Sequence, residues 1–263
     1  MEILGYIAAV LMGLSLGIVG GGGAILTVPI LVYFFKQDAL LATTGSMFVV
    51  GMTAFVGAAI NAKKGFIDYK MGITFAVPSF AGVLFARQIA LPWIPESMIL
   101  PGGLILTKSL LVLISFSILM IFASRAMIKS GVAIGASQRS HSIRSIGLKG
   151  FLVGCTTGFV GAGGGFLIIP ALVLLLHVPM RTAVGTSLAI ISANSLFGFA
   201  ISFGGPAIDW SALLPVTLLG SIGLAAGHHL SHRFHENRLK VGFGYFVLVM
   251  GVVILLDQLR IMA

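Results

Sequence analysis

Gly20-Gly21-Gly22-Gly23-Ala24-Ile25-Leu26-Thr27-Val28-Pro29 breaks an apolar run with four consecutive glycines, and Gly161-Ala162-Gly163-Gly164-Gly165-Phe166-Leu167-Ile168-Ile169-Pro170 repeats it 141 residues later. Glycine gives up more conformational freedom in a helix than any other residue, so such a run invites the helix to unwind. Inside a bilayer, unwound backbone is tolerated only where protein or a water-filled cavity satisfies its polar groups. Both stretches are therefore read as broken helices lining a solvated site. The competing reading of these glycines is close helix packing, which explains small residues but not an uninterrupted run of four.

The surrounding composition supplies the bilayer. The chain is 58% hydrophobic and 9% charged, with a mean hydropathy of +1.11, far outside the range of soluble domains. Apolar runs of roughly 20 residues, enough to cross a hydrocarbon core of about 30 Å, recur along its whole length, so a cleaved signal peptide is not expected. The net charge of +9 is scattered between these runs, where the preference of basic loops for the cytoplasm accounts for it without nucleic acid. One cysteine, Cys155, excludes an intrachain disulfide and a Cys-rich metal site. His228 and His232 have helical spacing near His229 and His235, but Arg233 and Arg238 beside them mark a basic cap, and no metal or cofactor is expected.

The fold class read from the pattern is an all-α polytopic membrane protein. It has two repeats of a glycine-broken re-entrant or discontinuous helix plus three transmembrane helices, arranged as inverted copies. Residues 1–123 form the first transmembrane repeat, 124–147 a basic cytoplasmic linker, and 148–263 the second repeat. In the first, spans are expected over 3–19, 40–62, 71–91 and 103–123, with an irregular, proline-marked link between the last two. The second repeats the order over 148–160, 182–203, 211–230 and 239–256. The offset of 141 pairs Gly13 with Gly154, Gly17 with Gly158, Ser46 with Ser187, Asp68 with Asp209 and Gly82 with Gly223, without a gap.

Charge decides how the repeats run. If each glycine-broken segment crosses completely, basic residues divide almost evenly between the two sides. If each turns back as a hairpin, Arg181, Arg233, Arg238 and Lys240 join the linker's side, as the rule on basic loops prefers. Two hairpins entering from opposite faces would bring the starts of their short helices, with unpaired N–H groups and positive dipole ends, near the midplane. That is an anion site made of backbone.

Gly-x-Gly-Gly followed by an apolar run and Pro, present twice, with Gly185-Thr186-Ser187-Leu188 after the second copy, resembles the sulfite exporter TauE/SafE family of membrane transporters. The first copy departs slightly, carrying Thr44-Gly45-Ser46. The resemblance implies a secondary transporter exporting a small sulfur-containing anion, sulfite or an organosulfonate, across the bacterial inner membrane. An anion channel, a passive facilitator, or a transporter of another small anion such as a carboxylate is the alternative; no enzyme motif is seen. The expected partners are the small anionic substrate and the lipid bilayer, with a second copy of the chain left open.

The substrate-binding set expected from the sequence is Gly20, Gly21, Gly22, Gly23 and Ala24 with Gly161, Gly163, Gly164 and Gly165, plus the hydroxyls of Thr44, Ser46, Thr186 and Ser187. Those hydroxyls are suited to donate to sulfonate oxygens, or else to bond their own helix carbonyls. Asn194, two turns beyond Ser187, is either interhelical glue or a ligand contact. Arg87 and its repeat counterpart His228 lie toward helix ends. They either snorkel to the interface or form an outer and an inner electrostatic funnel for anions.

Overall fold

The computed structural model describes residues 2–99, 105–129, 143–160, 168–169, 172, 178–202, 208–230 and 236–262. Helix α1 (Glu2–Val19) is followed by a return segment wound as a 3-10 helix (Gly22–Leu26), one α turn (Thr27–Pro29) and a π turn (Ile30–Phe34). Then come α2 (Ala39–Lys63) and α3 (Tyr69–Phe85), the latter prolonged by a π turn (Ala86–Ala90) and by Leu91–Trp93. After α4 (Lys108–Lys129) the second half contributes α5 (Ile143–Val160), α6 (Met180–Ile201), α7 (Trp210–Leu230) and α8 (Glu236–Met262). Among the described residues, Ala39–Lys63, Tyr69–Trp93, Arg181–Ile201 and Trp210–Leu230 are long and apolar enough to cross a membrane.

Local chemistry sets the boundaries. Asp38 and Asp68 cap α2 and α3, their carboxylates accepting the N–H of Leu40 at 2.9 Å and of Met71 at 3.0 Å. Gly65 ends α2 at φ 70°, and the N–H groups of Gly65 and Phe66 close on the carbonyls of Ala62 and Asn61 at 3.1 Å. The proline-marked link, expected to be irregular, instead carries a short antiparallel ribbon of β1 (Ser97–Ile99) and β2 (Ile105–Thr107). Its base is closed by the Lys108 N–H to the Glu96 carbonyl at 3.0 Å and by an ion pair between the two side chains at 3.7 Å.

The first glycine run makes a hairpin. The chain reverses at Gly20, which takes φ 89°, a conformation costly for any residue with a Cβ. Going back along α1, Gly23 lies against the Met12 carbonyl and the Leu16 N–H, and Phe34 and Phe35 lie against Gly5. The rings of Tyr6 and Phe35 close the hairpin's base at 5.3 Å. Pro29, which has no N–H to donate, sits where the winding passes from α to π.

Glycine contacts also fix the helix directions. Gly13 meets the Gly220 carbonyl and Gly17 the Leu224 carbonyl, so α1 and α7 run parallel in backbone contact. Gly150, Gly154 and Gly158 meet Phe75, Ser79 and Val83, so α5 and α3 also run parallel. Helix α2 runs with α7, as Gly45 against Leu213 and Gly57 against Leu224 show, and antiparallel to α6, as Gly51 against Leu196 and Gly57 against Leu188 show. Finally, Gly72 on Thr186 and Phe80 beside Phe197 make α3 run with α6. Thus α1, α2 and α7 point one way, and α3, α5 and α6 the other. Small residues at these seams let backbones approach closely, which is how helices associate where no water drives them together.

The outer surface is apolar at helical spacing: Ile73, Val77 and Leu84 on α3 and Leu214, Leu218 and Ile222 on α7 are exposed. Exposed Tyr69 and Trp93 bracket α3, as aromatic residues do at the two membrane interfaces.

Candidate functional site

The buried seams hold the polar side chains. Thr53, Ser79, Thr186, Ser187, Asn194 and Ser195 are all at 0% exposure, on helices whose outer faces are hydrocarbon. They lie along α2, α3 and α6, the helices around the α2–α6 crossing.

At the centre of that crossing, the Asn194 amide nitrogen donates to Ser79 Oγ at 2.5 Å, while its Oδ1 is buried with no partner among the described residues. Thr53 Oγ1 and Ser195 Oγ are also buried without a partner there. Thr53 precedes Asn194 by 141 residues, and the antiparallel register that sets Gly51 on Leu196 brings the two to one level. Thr53 and Ser79 are absent from the set expected from the sequence. The offset that linked the glycines was the signal available for Thr53, whereas nothing in the sequence points from Asn194 to Ser79.

One end of the crossing carries Arg87. Its Nη1 donates to Thr44 Oγ1 at 3.0 Å, and Thr44 in turn donates to the Leu40 carbonyl at 3.2 Å. Arg87 Nε and Nη2 are shielded from solvent and have no acceptor among the described residues, so the head group does not snorkel. Arg87 sits in the π turn after α3, beside the end of α5, where Gly158 packs on Ala86. The other end carries Lys64 and His228, with Nζ and Nε2 2.7 Å apart, and the His228 N–H lies against Gly17 near the end of α1. From Thr44 to Lys64 along α2 is about 30 Å at helical rise, the thickness of a hydrocarbon core. A polar seam with basic groups at both ends and neutral groups between can attract an anion from either side without trapping it in the middle.

The remaining expected residues fall as follows. Gly20 rests against Ile169 and Val184, so the first glycine turn touches the second half of the chain. Gly21, Gly22, Gly23 and Ala24 form the turn and the start of the 3-10 winding. Gly161, Gly163, Gly164 and Gly165 lie outside the described residues. Ser46 and Ser187 donate to the carbonyls of Thr43 and Val184 at 2.8 Å. Thr186 Oγ1 accepts the Asp68 N–H at 2.9 Å, tying α6 to the α2–α3 connection.

Replacing Gly20 by alanine tests the turn. A Cβ there would come within 2.7 Å of Ile169 Cδ1, on a backbone whose φ already disfavours a side chain. The expected cost is about 2 kcal/mol or more, combining left-handed strain with overpacking, and thermal melting of the detergent-purified protein measures it. A melting temperature equal to that of the unsubstituted chain would mean the turn relaxes freely.

The described residues contain no group of three or more His, Cys, Asp or Glu side chains able to hold a metal ion. A probable membrane transporter protein of Xylella fastidiosa strain 9a5c is 27% identical over 252 residues, covering 93% of this chain and 91% of that protein. The probable membrane transporter proteins YunE of Bacillus subtilis and MJ0441 of Methanocaldococcus jannaschii are each 24% identical, covering 96% and 94% of this chain and the same shares of their own lengths. No solved structure matches the chain. The sequence profile of the sulfite exporter TauE/SafE family matches residues 5–254, and with the doubled glycine motif and the four membrane-length helices within that range the chain is a multi-pass membrane protein belonging to this family.

Proposed function

We propose that the protein is a secondary transporter exporting a small sulfur-containing anion, sulfite or an organosulfonate, across the bacterial inner membrane, built from two inverted repeats. The observation that carries the transport reading is the polar seam, basic at both ends and neutral at its centre, spanning the length of α2. The repeat reading is supported by the directions of three helix pairs related by the offset of 141: α1 and α5, α2 and α6, and α3 and α7 each run oppositely. Even their contacts correspond, Gly13 on Gly220 answering Gly154 on Ser79, and Gly82 on Phe151 answering Gly223 on Val10. Alternating access in such folds is a rocking of one repeat against the other around a fixed site. The substrate class and export direction follow the family's description, while the names of the relatives support membrane transport alone.

Glycine-bounded hairpins are suited to that motion, and their helix starts offer backbone N–H groups to an anion. Ser46 and Ser187 would join them by turning their protons away from their own helices. An anion channel, or a facilitator that passes the anion as a channel does, is the second reading, favoured because the fully buried polar side chains among the described residues are hydroxyls and amides rather than carboxylates. Counterflow separates the two: proteoliposomes loaded with unlabelled sulfite or isethionate should transiently accumulate the labelled anion above equilibrium. Flux that is linear in concentration and shows no overshoot would support the channel and refute the carrier.

A further inference from the structure

We propose that Arg87 binds the transported anion side-on through its Nε–H and Nη2–H, with Thr44 holding the guanidinium in position. The inference rests on the transport reading above and names the charged group of that site. Its first support is an imbalance. A guanidinium stays protonated at any physiological pH, yet the one ion pair found among the described residues, Lys108 with Glu96, leaves Arg87 without a carboxylate. A buried charge persists comfortably only when paired, and an anion from outside the chain fits as the partner that the described residues do not supply.

The second support is which nitrogens are engaged. Thr44 takes Nη1, and its own proton goes to the Leu40 carbonyl, so the hydroxyl offers Arg87 a lone pair and cannot itself compete as a donor to the anion. The unengaged atoms, Nε and Nη2, form the edge of the guanidinium whose two N–H bonds point the same way. That edge matches two oxygens of a sulfite, sulfonate or carboxylate, and lysine has no equivalent of it. The third support is place. Arg87 lies in a π turn, a winding that recurs at functional sites, against the end of α5 just before the second glycine run begins. Both nitrogens are covered by protein, so neighbouring groups must move aside to admit the anion.

The test uses the full chain in nanodiscs, with sulfite under anaerobic conditions, methanesulfonate and acetate as probes. Arg87→Met should raise the melting temperature without ligand, because an uncompensated buried charge is gone, and should abolish the rise each anion produces in the unsubstituted protein. Arg87→Lys should fold but bind roughly 10-fold to 100-fold more weakly, having one point charge where the fork offered two aligned donors. Thr44→Val should weaken binding about 5-fold while Thr44→Ser restores it. If Arg87→Met lowers the anion-free melting temperature and keeps the anion response, the residue is structural and the proposal fails while transport stands. Unchanged affinity in Arg87→Lys overturns the side-on geometry in the same way. If the unsubstituted chain shows neither an anion response nor counterflow, the transport reading fails first and takes this assignment with it.

Discussion

Gly154→Ala is expected to destabilise the protein severely, and Gly13→Ala to do the same at the equivalent seam. A Cβ on Gly154 would fall onto the Ser79 carbonyl and one on Gly13 onto the Gly220 carbonyl. In both cases the obstacle is backbone, not the tip of a side chain that can swing aside. Relief requires α5 to move off α3, or α1 off α7, and each of those seams continues through several further glycine contacts. Overpacking of this kind costs about 1 to 3 kcal/mol, and more where the neighbour cannot yield, so loss of a monodisperse purified protein is the expected outcome. Gly147→Ala on the same helix is the control, since the nearest atom to its added methyl is Pro78 Cγ at 3.5 Å, an ordinary contact. Melting curves that placed Gly154→Ala beside Gly147→Ala would show that the seam is looser than these contacts require.

The second large effect is one of sidedness. Helices α2 and α7 run the same way, so the end of α2 and the start of α7 emerge at opposite ends of the bundle, although both adjoin the equivalent Asp68 and Asp209 turns. In a Cys155→Ser background, Lys63→Cys should be reached by an impermeant maleimide only from the cytoplasmic side and Ser211→Cys only from the other. Both positions are exposed, so neither should be protected by burial. Labelling of the two from one side would rule out inverted repeats, because parallel copies put equivalent turns on the same face.

Much of this architecture is legible in the residues. The four-glycine run locates the reversal, and Asp38, Asp68 and Gly65 mark helix ends by chemistry confined to a few neighbours. What the sequence hides is partnership at a distance. Gly13 and Gly17 announce that α1 expects a close neighbour, since four-residue spacing puts both on one face, but nothing in them points to α7 rather than α2. Arg87 near a helix end looks interfacial until the fold brings Thr44 to it. The β ribbon is hidden for a different reason: the prolines at 92, 95 and 101 mark only an irregular link, and strands of three residues are too short for alternation to register.

The pairing of α1 with α7 also bears on how the protein is made. Gly13 leaves the ribosome long before Gly220, and at about 5 to 20 residues per second the gap is roughly 10 to 40 seconds. Throughout that interval the first hairpin is in the membrane with its glycine face unclaimed, while α5, when it arrives, finds α3 already waiting. The two halves thus meet on unequal terms during synthesis despite their matched contacts in the finished fold. The opening hairpin depends on lipid or the insertion machinery to shelter a surface that only the penultimate helix can cover.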